Sequence, residues 1–116
     1  MTPKELAEKI FSVDKSIRYV GVLGGPKNEL LESHMRDGVT SLTQEKDDQW
    51  FVEIMSPVIL GAAEKLEKDL GRITYSLIRY KNVTLVTLKI QEYVIILSVE
   101  PGVIVKHLYE RIKALT

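Results

Sequence analysis

RITYSLIRYKNVTLVTLKIQEYVIILSV, residues 72–99, is the stretch on which the fold turns. It divides into three β-rich runs, Arg72–Tyr80, Val83–Gln91 and Tyr93–Val99, separated by Lys81-Asn82 and by a tight turn near Gln91-Glu92. The last run decides the architecture. Tyr93, Ile95, Leu97 and Val99 point to one side, and Val94 and Ile96 to the other. A strand that is apolar on both sides sits centrally, with helices above and below it. Connections this short join antiparallel neighbours. The stretch therefore predicts one antiparallel sheet covered by helices on both faces.

The flanks agree with that layout. Glu100-Pro101-Gly102 stops the last strand, and Val103–Leu115 follows as a helix with Val105, Leu108, Ile112 and Leu115 on one face. Upstream, the longest helical pattern runs from Asp48 to Leu70, with Gly71 as its C′ residue. Pro57 lies inside it. Proline removes a hydrogen bond and crowds the preceding turn, so a kink or a split is expected there. The polar stretch Thr40–Asp48 leads into this helix. Before it, Arg36-Asp37-Gly38 ends Leu30–Met35, which reads as a strand returning from the Gly24-Gly25-Pro26 turn, or alternatively as a helix over Asn28–Met35. Ser16–Leu23 is β-rich through Ile17, Tyr19, Val20, Val22 and Leu23. Thr2-Pro3-Lys4-Glu5 is a capping box, with the Thr2 hydroxyl on an orphan N–H and Glu5 reaching back. Leu6, Ala7, Ile10 and Phe11 then recur at helical spacing. The order is α-β-β-α-β-β-β-α, an α+β arrangement expected to form a single domain over residues 1–116.

Composition narrows the function classes. The 116 residues are 45% hydrophobic and 28% charged, with 16 basic residues against 16 acidic. No basic excess is present to meet phosphates, which argues against nucleic acid as a partner. Zero net charge also removes one electrostatic barrier to self-association. The absence of cysteine excludes disulfides, thiol catalysis and cysteine metal sites together. The polar N-terminus leads into no apolar signal region. The longest unbroken apolar run, Tyr93–Leu97, is far too short to span a bilayer. A cytoplasmic location without membrane insertion is expected.

The residues that could carry chemistry have plainer roles available. Gly21–Pro26 briefly looks like a phosphate loop, but it lacks the lysine–serine/threonine ending and joins two strands, so it reads as a hairpin. His34 and His107 are the only histidines, and neither has a neighbour at metal-ligand spacing. Asp47-Asp48 complements a helix dipole. Ser41 and Thr43 are turn or cap residues, and no serine sits in a G-x-S-x-G elbow. Lys106, Arg111 and Lys113, with Lys89 and Arg79, form either a modest basic patch or a solvated face. No set of titratable residues supports catalysis. The expectation is a protein that is not an enzyme and takes no cofactor and no metal.

Two elements carry more apolar surface than one sheet requires. Wound at about 100° per residue, Trp50, Phe51, Val52, Ile54, Met55, Val58, Ile59, Ala62, Ala63, Leu66 and Leu70 cover roughly 200° of arc, with Leu60 outside it. Either the domain's own loops cover this helix, or one face meets the sheet and another a partner. In Arg72–Tyr80, Ile73, Tyr75 and Leu77 point one way and Thr74, Ser76, Ile78 and Tyr80 the other. An edge strand of this kind is a hazard unless it is paired. A symmetric partner could pair it, or Arg72, Arg79 and Lys81 could keep it single.

Element order, the long helix ending in Asp69-Leu70-Gly71 and the block Arg72–Val99 resemble the roadblock/LC7 superfamily. Ile17-Arg18-Tyr19-Val20-Gly21, Gly38-Val39-Thr40-Ser41-Leu42 and Ser98-Val99-Glu100-Pro101 resemble, more closely, an archaeal family of that fold whose function is unknown. The resemblance spans nearly the whole chain and is structural, not catalytic. It implies a five-stranded antiparallel sheet in the order 2-1-5-4-3, with the long helix on one face and the terminal helices on the other. It also implies a homodimer joined through the long helix and the third strand, placing Met55, Ile59, Ala63, Ile73, Tyr75 and Leu77 at the interface. The implied function is a non-catalytic adaptor or regulator of a protein partner, with a small GTPase as the candidate class. The alternative is a profilin- or PAS-like sensor holding a small ligand between sheet and helices, which needs a pocket with convergent polar groups.

Overall fold

Tyr93–Val99 forms the central strand, as its two apolar faces require. The computed structural model describes residues 1–116. Five strands, β1 (Ile17–Gly24), β2 (Glu29–Met35), β3 (Tyr75–Arg79), β4 (Thr84–Ile90) and β5 (Tyr93–Val99), form one sheet in the order β2-β1-β5-β4-β3. Every pairing is antiparallel. Glu29–Met35 is thus a strand, and the helical alternative is set aside. The turn before it has Gly25 and Asn28 at positive φ, and the Asn28 N–H donates to the Gly25 carbonyl at 3.1 Å. The glycine-rich segment is a hairpin connection.

Helices α1 (Pro3–Val13) and α5 (Val105–Lys113) cover one face. Thr2 caps α1 by accepting from the Glu5 N–H at 3.2 Å, and the return bond from Glu5 is not made. Leu6, Ala7 and Ile10 of α1, and Val105, Leu108 and Ile112 of α5, close over Ile17, Val20, Val22, Val86, Leu88, Ile90, Ile95, Leu97 and Val99. This is the larger core, a cluster of 15 buried residues.

The opposite face is thinner. The long helical segment runs from Glu45 to Leu70 but is not one helix: α2 (Glu45–Trp50), a π turn (Phe51–Met55), α3 (Ser56–Glu64) and a short α4 (Glu67–Leu70) follow one another. Pro57 is the reason for the first break. It has no N–H to return to the preceding turn, and the chain closes that turn with the wider bond from the Ser56 N–H to the Phe51 carbonyl. Gly71, at φ 88°, ends the segment as expected. Only Val52 and Leu60 of this layer join Leu23, Val94 and Ile96 in the second core cluster, which holds five residues. No helix is long and apolar enough to cross a membrane.

Candidate interaction surface

On the long helical segment, Val52, Ser56 and Leu60 are buried against the sheet, at intervals of four. Leu60 was expected outside the apolar arc, yet it is only 2% exposed. The π turn accounts for this. A turn closed by i→i+5 bonds advances less per residue than an α turn, and it draws Val52 into line with Ser56 and Leu60. The sheet thus takes one margin of the arc and leaves the rest. Phe51, Met55, Ile59 and Ala63 are half-buried along the flank. Trp50, Ile54 and Val58 project outward and are 53%, 53% and 59% exposed. Of the two readings of this helix, a segment deeply covered by its own domain does not hold.

β3 is shorter than Arg72–Tyr80 and begins at Tyr75. Ile73 and Tyr75 do not share a face. Ile73 lies ahead of the strand, where its N–H donates to Glu67 Oε2 at 2.9 Å and its side chain packs with the long-helix cluster. Tyr75 packs with the terminal-helix cluster, its ring 5.3 Å from that of Tyr109. Strict alternation fails here because Ile73 is outside the ladder. Leu77 stands opposite Val86, and so shares the face of Tyr75. Ser76 and Ile78, opposite Thr87 and Leu85, face the long helix.

The six expected interface residues therefore fall into two groups. Met55, Ile59 and Ala63 form one flank of the long segment, with Ile73 close to its end. Ala63, Leu66, Leu70, Arg72 and Ile73 line a surface groove of about 330 Å³. Tyr75 and Leu77 belong to the other face, so the contribution of β3 to a contact on the helix side is its backbone edge with Ile78. The outward stripe Trp50, Ile54, Val58 was within the apolar arc but was not singled out as interface. Its prominence depends on the π turn, which hydrophobic spacing does not reveal.

The polar candidates are dispersed. His34 Nε2 lies 3.1 Å from Glu32 on β2, and His107 is exposed on α5. Asp48 accepts hydrogen bonds from the Ser41 and Thr43 hydroxyls, tying the loop to the start of α2. Lys89 pairs with Glu64 on one face at 2.9 Å, and Arg111 with Asp14 on the other at 2.9 Å, so these cations form no common patch. Tyr19 is a half-buried titratable group beneath the long segment. Desolvation raises its pKa, the Asp48 and Glu53 carboxylates add to the rise, and its hydrogen bond with Ser33 at 2.9 Å partly opposes it. A second surface groove, of about 290 Å³, lies between Asp14, Ser16, His107 and Arg111. Both grooves open at the surface, not between sheet and helices.

Comparison with known proteins places this geometry. Residues 3–115 match the model of a family of unknown function, DUF6659. No curated protein matches the sequence. Among solved structures, the chain is similar to a roadblock/LC7 domain from Streptomyces avermitilis (TM-score 0.70, 8% identity, 99% of this chain and 92% of that one). It is similar to the gliding protein MglB from Thermus thermophilus (TM-score 0.66, 13% identity, 97% and 86%). It is also similar to MglB of Myxococcus xanthus (TM-score 0.65, 12% identity, 99% and 97%). The fold is roadblock/LC7-like.

Proposed function

We propose, for a chain that belongs to the DUF6659 family and carries a roadblock/LC7-like fold, a role as a non-catalytic adaptor or regulator that works in the cytoplasm as a homodimer and binds a protein partner. One observation carries this reading: the long helical segment leaves most of its apolar arc outside the core, with Trp50, Ile54 and Val58 more than half exposed. Burial of apolar surface is worth about 25 cal/mol per Å², so a contiguous stripe of this kind favours association. The two-fold contact is assigned to the flank of Met55, Ile59 and Ala63 with Ile73 at its rim, and to the neighbouring edge of β3 around Tyr75 and Leu77 through its backbone. The partner class is a small GTPase, on the strength of the roadblock/LC7 resemblance.

Light scattering on a sizing column, across a dilution series, tests the dimer. The parent protein is expected at twice the chain mass. Ile59→Asp and Val58→Asp are expected at the chain mass with unchanged circular dichroism, because both side chains lie outside the buried stripe. Variants that stay dimeric would displace the contact from the helix. A parent that is monomeric at every concentration would remove the homodimer.

A further inference from the structure

Trp50 is the only tryptophan of the chain, and it stands 53% exposed near the start of the long segment. At the other end of that segment lies the groove of Ala63, Leu66, Leu70 and Ile73, of about 330 Å³. Sites that hold a ring-sized ligand run from about 300 to 1,000 Å³. Leu66 and Leu70, two of the groove's walls, are 54% and 78% exposed. Trp50 does not reach the groove of its own chain, because Leu66 comes 16 residues later, about 24 Å along a helix. The charges at the two ends are complementary. The first end carries Glu45, Asp47, Asp48 and Glu53 against Lys46. At the second, Glu67 is engaged with the Ile73 N–H, and Lys65, Lys68 and Arg72 stand against Asp69. Asp47, Glu53, Lys65 and Arg72 are exposed and belong to none of the ion pairs.

We infer that the partner subunit's Trp50 fills this groove, once on each side of the two-fold, and so fixes the register in which two copies of the chain join. This deepens the proposed homodimer and rests on it. A two-fold at Ile59, the middle of the flank of Met55, Ile59 and Ala63, runs two such segments antiparallel. It sets residues equally far before and after Ile59 side by side. Trp50, nine before, then lies beside the partner subunit's Lys68, nine after, where Leu66 and Leu70 wall the groove. Glu53, six before, meets the partner subunit's Lys65, six after. Asp47, twelve before, comes to the partner subunit's Gly71, next to its Arg72. The sheet agrees with this axis. Gly71 turns the chain back, so that Arg72, Ile73 and Thr74 line the groove together with residues from Ala63 to Leu70. The Ile73 N–H is fixed to Glu67, and Leu77 comes four residues on, about 13 Å along a strand. The same length is about nine residues of helix, which leads back from Glu67 to Val58, next to Ile59. One axis therefore passes Ile59 and Leu77 together. About Leu77, each Arg79 falls opposite the other copy's Tyr75, and no two cations of β3 face each other. An axis one turn away, at Met55 or Ala63, carries Trp50 past the groove and parts Glu53 from Lys65. A free small molecule fits less well, because the groove holds no buried, unpartnered polar side chain to orient it.

The test uses the full chain and its single tryptophan. Samples are diluted through the range in which the dimer dissociates, and mass is followed by light scattering on the same samples. Trp50 emission is expected to move to the red, and its quenching by acrylamide to rise, in step with the fall in mass. Trp50→Ala is expected to weaken the dimer about a hundredfold, about tenfold at each of two grooves. Leu66→Asp, on the groove wall, should do the same. Both positions are more than half exposed, so circular dichroism should not change. In a double-mutant cycle the second of these changes adds little to the first. Glu53→Lys and Lys65→Glu each weaken the dimer a few-fold, and the two together restore it, because the pair forms only between copies. A dimer whose Trp50 is quenched as readily as in the monomer overturns this inference and leaves the proposed homodimer standing. So does a Trp50→Ala dimer of unchanged affinity, or a cycle in which the two changes simply add. A chain that is monomeric at every concentration overturns both readings. Mass therefore reports the homodimer, and the tryptophan reports its register.

Discussion

β2 and β3 close the same sheet from opposite sides, and they are built differently. In β2, Val22 faces Glu32 and Leu23 faces Leu30, so Leu31 is an extra residue that bends the strand. Glu29 and Glu32 add charge along it. Its side chains are also strapped inward. Ser33 meets the Tyr19 hydroxyl, and Arg36, just past the strand, donates to the carbonyls of Ile17, Phe11 and Asp14 at 2.6, 2.8 and 2.8 Å while its guanidinium lies 5.1 Å from the Phe11 ring centre. β3 has none of this. Its register with β4 runs unbroken from Tyr75 to Arg79, and Tyr-Ser-Leu-Ile at its centre is uncharged. Natural sheets blunt an exposed edge by bulges and by charges placed on it. One edge here carries both devices and a double anchor. The other is flat and charged only at its ends, which is the form of an edge kept available for pairing.

The largest break in this contrast comes from Arg36→Leu. It removes a charged donor from three part-buried carbonyls, of which only that of Asp14 keeps a backbone donor, the Ile17 N–H, and hydrogen bonds to a charged group are worth about 1.5–3 kcal/mol each. With partial replacement by water, a loss of about 3 kcal/mol is expected by chemical denaturation. Faster amide exchange should appear in β2 and at the end of α1, with β3 unchanged. Equal loosening of both edges would show that Arg36 does not anchor β2 in particular. Gly21→Ala is the next step down. A methyl at Gly21 would sit 2.7 Å from the Tyr19 hydroxyl oxygen and 3.1 Å from its ring. The ring must swing and surrender Ser33, at about 2 kcal/mol. Ser33→Ala removes the same hydrogen bond without the crowding and should cost about 1 kcal/mol. If the two cost the same, steric pressure on Tyr19 contributes nothing and the strap itself is the whole effect.

How much of this was legible in the sequence depended on whether local pattern or tertiary context decided each element. β5 was readable residue by residue, because period-2 burial on both faces leaves only a central position. The hairpin at Gly24-Gly25-Pro26, the Thr2 cap and the stop at Gly71 followed from backbone chemistry that a few residues specify. Sheet order came from a resemblance, not from spacing. The long segment was legible in extent, and Pro57 announced a break. Its phase was hidden, because a π turn is set by how the freed carbonyls are satisfied in three dimensions. That one turn moved Leu60 into the core and left Trp50 outside. Ile73 was misplaced for a similar reason: alternation was extended past the first residue that β4 actually pairs. The bulge at Leu31 has no signature in an apolar pair followed by glutamate, so the difference between the two edges became visible only with the register.

The smallest effect is confined to the corner where α1, β1 and α5 meet, and it tests whether the β2 side can be loosened alone. Asp14 accepts from the Ser16 N–H at 2.8 Å and from Arg111 at 2.9 Å, and its own carbonyl is one of the three held by Arg36. The Ser16 N–H, more than it is opposed by desolvation, holds the Asp14 carboxyl below its ordinary value of 3.8, and the Arg111 guanidinium adds to this. A pKa depressed in the folded state means that the folded form favours the carboxylate. The stabilisation is therefore fully present above the ordinary value and is lost as pH falls through the depressed one. Asp14→Asn should be slightly less stable than the parent at neutral pH, and the gap should close on acidification below about pH 4. Amide exchange near the end of α1 should follow the same titration, with no counterpart at β3. A gap that stays constant with pH would assign the cost of the substitution to lost geometry at the cap, and the ionisation of Asp14 would then have no part in holding that side of the sheet.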